Sequence, residues 1–161
     1  MCMGGETIRP MTRSDVPRVH EVEVACFRSP WSKTALLGEL RNEVANYLVM
    51  EQDGVICGYA GMWVLFEEAH MTNVAIMKEH RQAGRGRRLM LAMMELAMQK
   101  GAEKMTLEVR EGNLIAQHLY KTLDFEQNGR RPRYYSDTGE DALLLWNMDI
   151  KETIDRERQT R

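Results

Sequence analysis

Apolar positions change period several times along this chain, and each change predicts an element. Thr7 to Met11 reads as an opening strand, after which Val16, Val19, Val22 and Cys26 recur at helical spacing. Thr12-Arg13-Ser14-Asp15 offers caps for that helix, and Pro17 falls near its first turn, where proline is tolerated. Pro30 breaks the pattern, and Ser32 can cap a second helix through about Arg41. Asn46 to Gln52 and Val55 to Leu65 then read as strands joined by Asp53-Gly54, the strongest kind of short hairpin signal. His70 to Met77 is a further strand. Leu89, Met93, Leu96 and Ala97 mark an amphipathic helix over Gly86 to Lys100, stopped by Gly101. A strand over Met105 to Val109 and a helix over Ala116 to Leu123 follow, with Tyr134-Tyr135 and Ala142 to Ile150 forming a closing hairpin region. Lys151 to Arg161 is almost wholly polar and reads as a frayed tail.

This order is that of an α/β protein built on one mixed sheet. The strands flanking the Gly86 helix should be parallel neighbours joined by a right-handed crossover, with a ligand expected at their carboxyl ends. A length of 161 residues suits one domain, and no internal repeat or linker interrupts it. The 43% apolar and 29% charged residues supply a core without any bulk sign of disorder, and most of the thirteen methionines read as adaptable core filler. A formal net charge of -2 argues against nonspecific nucleic-acid binding, although local basic patches remain open. Cys2, Cys26 and Cys57 are odd in number and widely spaced, and the four histidines share no ligand spacing, so neither a disulfide framework nor a metal site is indicated. Without a signal-like or membrane-length apolar run, a reducing cytoplasm is the expected location.

The most informative segment is His80-Arg81-Gln82-Ala83-Gly84-Arg85-Gly86-Arg87-Arg88, between a strand and a helix. Glycines let backbone approach a ligand, and the free N–H groups of a helix start, reinforced by its dipole, bind pyrophosphate. Arg81, Arg85, Arg87 and Arg88 add positive charge. No Gly-Lys-Ser/Thr follows and the spacing is not that of a dinucleotide fingerprint, so ordinary nucleotide folds are unsupported. Turn chemistry alone leaves open a solvated surface turn or a nucleic-acid patch.

Arg81-x-x-Gly84-x-Gly86 resembles the acyl-CoA signature of the GNAT superfamily. Five further segments are similar to ribosomal-protein-alanine N-acetyltransferases: CFRSPWS at 26–32, MTNVAI at 71–76, LEVREGN at 107–113, LYKTLDF at 119–125 and RYYSDTGEDALLL at 133–145. The resemblance implies the GNAT (acyl-CoA N-acyltransferase) fold, a mixed central sheet flanked by helices, with residues 1–149 as the acetyltransferase domain and 150–161 as a polar tail. It also implies acetyl-CoA as cosubstrate, no metal, and as acceptor the N-terminal amine of a protein, an alanine of a small-subunit ribosomal protein, without direct contact with nucleic acid or membrane.

In that family the glutamate of LEVR is the general base, a place held here by Glu108, which by strand alternation alone is a polar-face residue beside Thr106 and Arg110. Partial desolvation would bring such a carboxylate toward the working range. The family's general acid falls on Tyr120, twelve residues later; its helical stripe with Ala116, Leu119 and Leu123 would otherwise read as half-buried core. Main chain at Val74, Ala75 and Ile76, on a strand the family bulges, is implied to pair with pantetheine and to stabilise the carbonyl oxygen. The turn from Arg81 through Gln82, Ala83, Gly84, Arg85 and Gly86 to Arg87 is implied to hold pyrophosphate, and Asn113 to touch CoA, or else simply to cap a helix. Pro30, Trp31, Tyr134, Tyr135 and Glu140 are implied to wall the acceptor groove. No motif supplies a cysteine nucleophile, which favours direct transfer in a ternary complex. Two departures stand out: Asp124 where LGF carries glycine, and Ser29 where an aromatic precedes PWS. Alternatives are a GNAT acting on lysines or small amines, and an acyl-CoA-binding module without turnover.

Overall fold

The computed structural model describes residues 5–160, and the chain divides into two compact units. The first runs up to Trp63 and adds Thr72–Met93; the second comprises Val64–Met71 and the chain from Met94 onward. Three elements, β3 (Val55–Leu65), β4 (Glu68–Ile76) and α3 (Arg85–Gln99), contribute residues to both.

In the first unit, β1 (Glu6–Pro10), β2 (Ala45–Gln52) and β3 (Val55–Leu65) form antiparallel ladders, with Ile8 opposite Met50 and Val49 opposite Tyr59. The hairpin turns at Asp53 and Gly54, both at positive φ (54° and 83°), as a two-residue hairpin whose twist matches its strands requires. Helix α1 (Val16–Cys26) buries Val16, Val19 and Val22, and α2 (Lys33–Leu40) buries Leu36, against Val49, Ile56 and Tyr59. Each such aliphatic burial contributes about 1.5–3 kcal/mol. Ser32 caps α2 as its sequence predicts, its hydroxyl accepting from the Ala35 N–H at 3.1 Å. Asp15, at the head of α1, accepts two bonds from Arg9 (2.8 and 2.9 Å), which hold its carboxyl down at about 2.

In the second unit, the start of β4 pairs in parallel with β5 (Lys104–Arg110), His70 opposite Thr106, so the expected parallel neighbours are present. β5 pairs antiparallel with β7 (Ala142–Asn147), and β7 with β6 (Glu126–Arg131). The hydrogen-bonded strand order is β1-β2-β3-β4-β5-β7-β6, a mixed seven-stranded sheet. α4 (Leu114–Thr122) lies between β5 and β6 in sequence. Helix α3 buries Leu89, Met90, Met93, Met94 and Ala97, and seven of the eleven methionines among the described residues are buried, in line with their reading as core filler. Among the described residues, no helix is long and apolar enough to cross a membrane.

Two expectations are corrected. The segment after Asp149 is no frayed tail: α5 (Ile150–Gln159) is a helix that buries Ile150, Thr153 and Ile154. Three buried positions in ten residues give so narrow a stripe that composition hides it. The partner of β7 is β6, and Tyr134 and Tyr135 lie in the loop between them rather than in a strand. All six β6 residues are exposed on the edge of the sheet, so no apolar alternation announces it.

Candidate active site

The glycine-rich turn belongs to the first unit. Gln82 and Gly84 both adopt positive φ (74° and 75°) just before α3 begins at Arg85. Left-handed residues next to a helix start curl successive N–H groups into a concave, electropositive nest, and the first N–H groups of α3 have no intrahelical acceptor. Such a cradle fits a pyrophosphate. A Cβ at Gly84 would sit 2.8 Å from the Arg88 guanidinium, so glycine meets both the φ and the space.

The arginine side chains do a different task from the one their composition suggests. Arg81 Nε donates to the Ile76 carbonyl at 2.8 Å and pins the end of β4 to the turn. Arg85 donates to the His80 carbonyl (3.2 Å) and to Gln52 (2.9 Å). Arg88 grips Glu6 with two bonds, 2.6 and 2.8 Å, and holds that carboxyl below its usual range. These guanidiniums fix the shape of the turn, and the main chain and helix dipole are what it offers to an anion.

In β4, Ala75 and Ile76 are buried while Val74 is half-buried. Gly58 on β3 lies so close that a Cβ there would meet the Ala75 carbonyl at 2.7 Å. Cys26 Sγ also donates to the Ile76 carbonyl, at 3.5 Å. Burial pushes the Cys26 and Cys57 thiols up, so neither is an activated nucleophile near neutral pH. Trp31 packs partly buried against the core, while Pro30 is exposed.

The second unit holds Glu108 and Tyr120. Glu108 sits at the middle of β5 on the exposed face, opposite Leu144, with its side chain 33% exposed. Its Oε2 lies 3.1 Å from Arg131 Nε, so the carboxylate is paired and partly exposed. Tyr120 lies in the last turn of α4 with its ring buried edge-on to Phe125 (centroids 5.7 Å), and burial pushes its phenol up to about 12. Among the described residues its hydroxyl makes no hydrogen bond, yet the oxygen is not sealed from solvent. The phenol is thus a proton donor with an open valence.

Asn113 does cap α4: Oδ1 accepts from the Ala116 N–H at 3.1 Å, leaving the amide NH2 to any ligand. The loop carrying Tyr134 and Tyr135 is strapped to β5. Arg110 stacks on Tyr135 (4.0 Å) and forms paired bonds to Asp137 (2.9 and 3.0 Å). Glu140 is a latch within this loop, accepting from Thr138 (2.8 Å) and the Gly112 N–H (2.9 Å), so both oxygens are engaged. Burial, then the nearby charge of Glu108, push the Tyr135 phenol up.

Sequence reasoning missed Glu6, Glu23, Arg110 and Arg131. For Glu23 a signal existed: it is a carboxylate on the buried stripe of α1, beside Val19 and Val22. Arg131 carried none, because its partner is reached only through strand pairing. Asp124, the departure from glycine, adopts φ 68°. It keeps the glycine conformation, and Thr153 and Arg156 of α5 grip its carboxylate at 2.7 Å each.

Comparison with known proteins identifies the family. Residues 16–125 match the Acetyltransferase (GNAT) family. A Bacillus subtilis (strain 168) protein, provisionally named a ribosomal protein bS18-alanine N-acetyltransferase, is 42% identical over 140 residues, covering 86% of this chain and 93% of its own. The Haemophilus ducreyi protein named ribosomal protein bS18-alanine N-acetyltransferase is 33% identical over 128 residues, covering 80% and 88%. The crystal structure of the Escherichia coli ribosomal-protein-S18-alanine N-acetyltransferase superposes with a TM-score of 0.81 at 27% identity, covering 88% of this chain and 92% of that one. Strand order, glycine-rich turn and sequence kinship converge, and the chain belongs to the GNAT family of acetyltransferases.

Proposed function

We propose that this enzyme transfers the acetyl group of acetyl-CoA directly to the N-terminal α-amine of a protein in the cytoplasm, the acceptor being the N-terminal alanine of a small-subunit ribosomal protein. The observation that carries the acceptor is the 42% identity, along 86% of the chain, to a protein named for that substrate. Acetyl-CoA supplies a thioester whose carbonyl carbon is open to a neutral amine.

An α-amine with a pKa near 7.7–8.0 is roughly a tenth neutral at pH 7, so a modest, accessible base suffices. Glu108 meets that need by its exposure. Its pair with Arg131 is surface-exposed, worth about 0.2–1 kcal/mol, and so yields readily to an incoming ammonium. Tyr120 acts on the departing sulfur. A phenol near 12 facing a thiol of ordinary pKa near 8.5 would lose roughly 5 kcal/mol on full proton transfer. Its contribution is therefore a hydrogen bond that stabilises the developing thiolate, with solvent completing the protonation. The nest at Gln82–Gly84 and the first turn of α3 bind the pyrophosphate, with the main chain of Val74, Ala75 and Ile76 pairing with the pantetheine arm. With both described thiols held protonated, direct attack by the amine needs no acyl-enzyme.

The test is CoA-thiol release with an Ala-initiated ribosomal peptide. Release should depend on the peptide and fall roughly tenfold or more in Glu108→Gln and in Tyr120→Phe. Activity confined to lysine-bearing peptides or polyamines would transfer the reading to those acceptors. Acetyl-CoA binding with no acceptor-dependent release would mark a module without turnover.

A further inference from the structure

Glu23 is 1% exposed in the first unit, and the chemistry above does not use it. Its oxygens are divided between two structures. Oε1 accepts from the Tyr59 hydroxyl and lies 3.4 Å from the Asn73 amide, which also donates to Tyr59 at 3.0 Å. Oε2 accepts the main-chain N–H of Trp31 at 2.8 Å. The main-chain carbonyl of Glu23 accepts the Phe27 N–H at 2.9 Å, so one residue holds both ends of segment 27–31. Among the described residues, Arg28 to Trp31 make no other hydrogen bond.

A buried carboxylate is costly, and an apolar replacement of the same shape is often neutral or stabilising. Stability alone does not call for Glu23. Its distinctive property is that it takes donors from a loop and from the sheet at once. We propose that Glu23 is a positioning residue for the acceptor: through the Trp31 N–H it fixes the Pro30-Trp31 loop against β3 and β4. This rests on the reading of that loop as a wall of the acceptor site. The loop otherwise has only the partly buried Trp31 side chain to hold it, and a mobile wall would raise the concentration of acceptor needed for binding.

Acceptor KM separates this role from a merely structural one, because loss of folded protein lowers apparent kcat and leaves KM unmoved. Glu23→Ala should raise KM for the Ala-initiated peptide roughly tenfold or more, while acetyl-CoA affinity by calorimetry stays within about twofold. Glu23→Gln can turn its amide oxygen to Trp31 and its NH2 to Tyr59, whose hydroxyl also accepts, so KM should stay within about threefold of wild type. An unchanged KM in the Ala variant, a Gln variant as impaired as Ala, or peptide and acetyl-CoA binding weakened together overturns the proposal. Should Glu23→Ala fail to fold, amide exchange in the wild-type protein decides: the Trp31 N–H should be protected at least tenfold over those of Arg28 and Ser29, and equal exchange removes the tether. If wild type ignores the peptide, the N-terminal reading fails on its own, and the Trp31 exchange still tests the tether.

Discussion

Replacing Asp124 tests how α5 supports the end of the helix that carries Tyr120. Leu123, Asp124 and Phe125 form the stop after α4: the N–H groups of Leu123 and Phe125 both donate to the Tyr120 carbonyl at 3.0 Å. The left-handed backbone at Asp124 costs a non-glycine residue about 1 kcal/mol. Against this stand two partners on α5, Thr153 and Arg156. The buried Thr153 hydroxyl donates to the carboxylate at 2.7 Å while accepting from Asn147 at 2.9 Å, a contribution of about 1 kcal/mol. The Arg156 pair, about 40% exposed on both sides, adds about 0.2–1 kcal/mol after screening. Asp124→Ala keeps the strained φ and loses both partners, so it should destabilise by about 2 kcal/mol. Asp124→Gly loses the bonds but relieves the strain, for a net loss of about 0.5–1 kcal/mol. Asp124→Asn keeps an acceptor for Thr153 and tolerates the backbone, and should fall nearest to wild type. Urea unfolding followed by circular dichroism measures the ranking, and in a protein of this size about 2 kcal/mol corresponds to a Tm lower by about 4–8 °C. A Gly variant less stable than the Ala variant, or an Ala variant equal to wild type, would refute the reasoning.

Two further outcomes follow from packing and from titration. Gly58→Ala places a methyl 2.7 Å from the Ala75 carbonyl and 2.5 Å from the Ile76 side chain, so β4 must shift. We expect a loss of about 1–3 kcal/mol together with weaker acetyl-CoA binding by calorimetry; a fully stable variant with unchanged affinity contradicts the assigned role of that strand. At high pH the unfolded chain ionises Tyr120 near 10 while the folded phenol holds its proton until about 12. Stability present below pH 10 should therefore be lost as pH rises from 10 to 12, by roughly 2–3 kcal/mol from this residue, and the raised phenols of Tyr47 and Tyr59 act in the same direction. Tyr120→Phe should flatten that decline in urea titrations at pH 9 to 11, and an identical slope in both proteins would exclude it.

Local chemistry made much of this protein legible in its sequence. Asp53-Gly54 can take the two positive φ angles of the hairpin, Ser32 carries the hydroxyl that caps α2, and the Leu89-Met93-Ala97 stripe fits one buried helix face. The turn at Arg81 to Gly86 was recognisable because glycine spacing and helix starts are local properties. What each charge does there was not local. Arg88 is committed to Glu6, 82 residues away, and Glu23 meets Trp31, Tyr59 and Asn73 from three different stretches of chain. β6 escaped notice because an exposed edge strand needs no apolar alternation, and α5 because a few buried residues suffice to dock a polar helix. Asp124 stood out as an anomaly in a glycine position, and only the folded chain supplies the reason: Thr153 and Arg156, about 30 residues later in sequence, hold it where glycine would need no help. Sequence sets backbone preference and hydrophobic period residue by residue, whereas the partner of a charge is chosen by whichever distant segment the fold brings within about 3 Å of it.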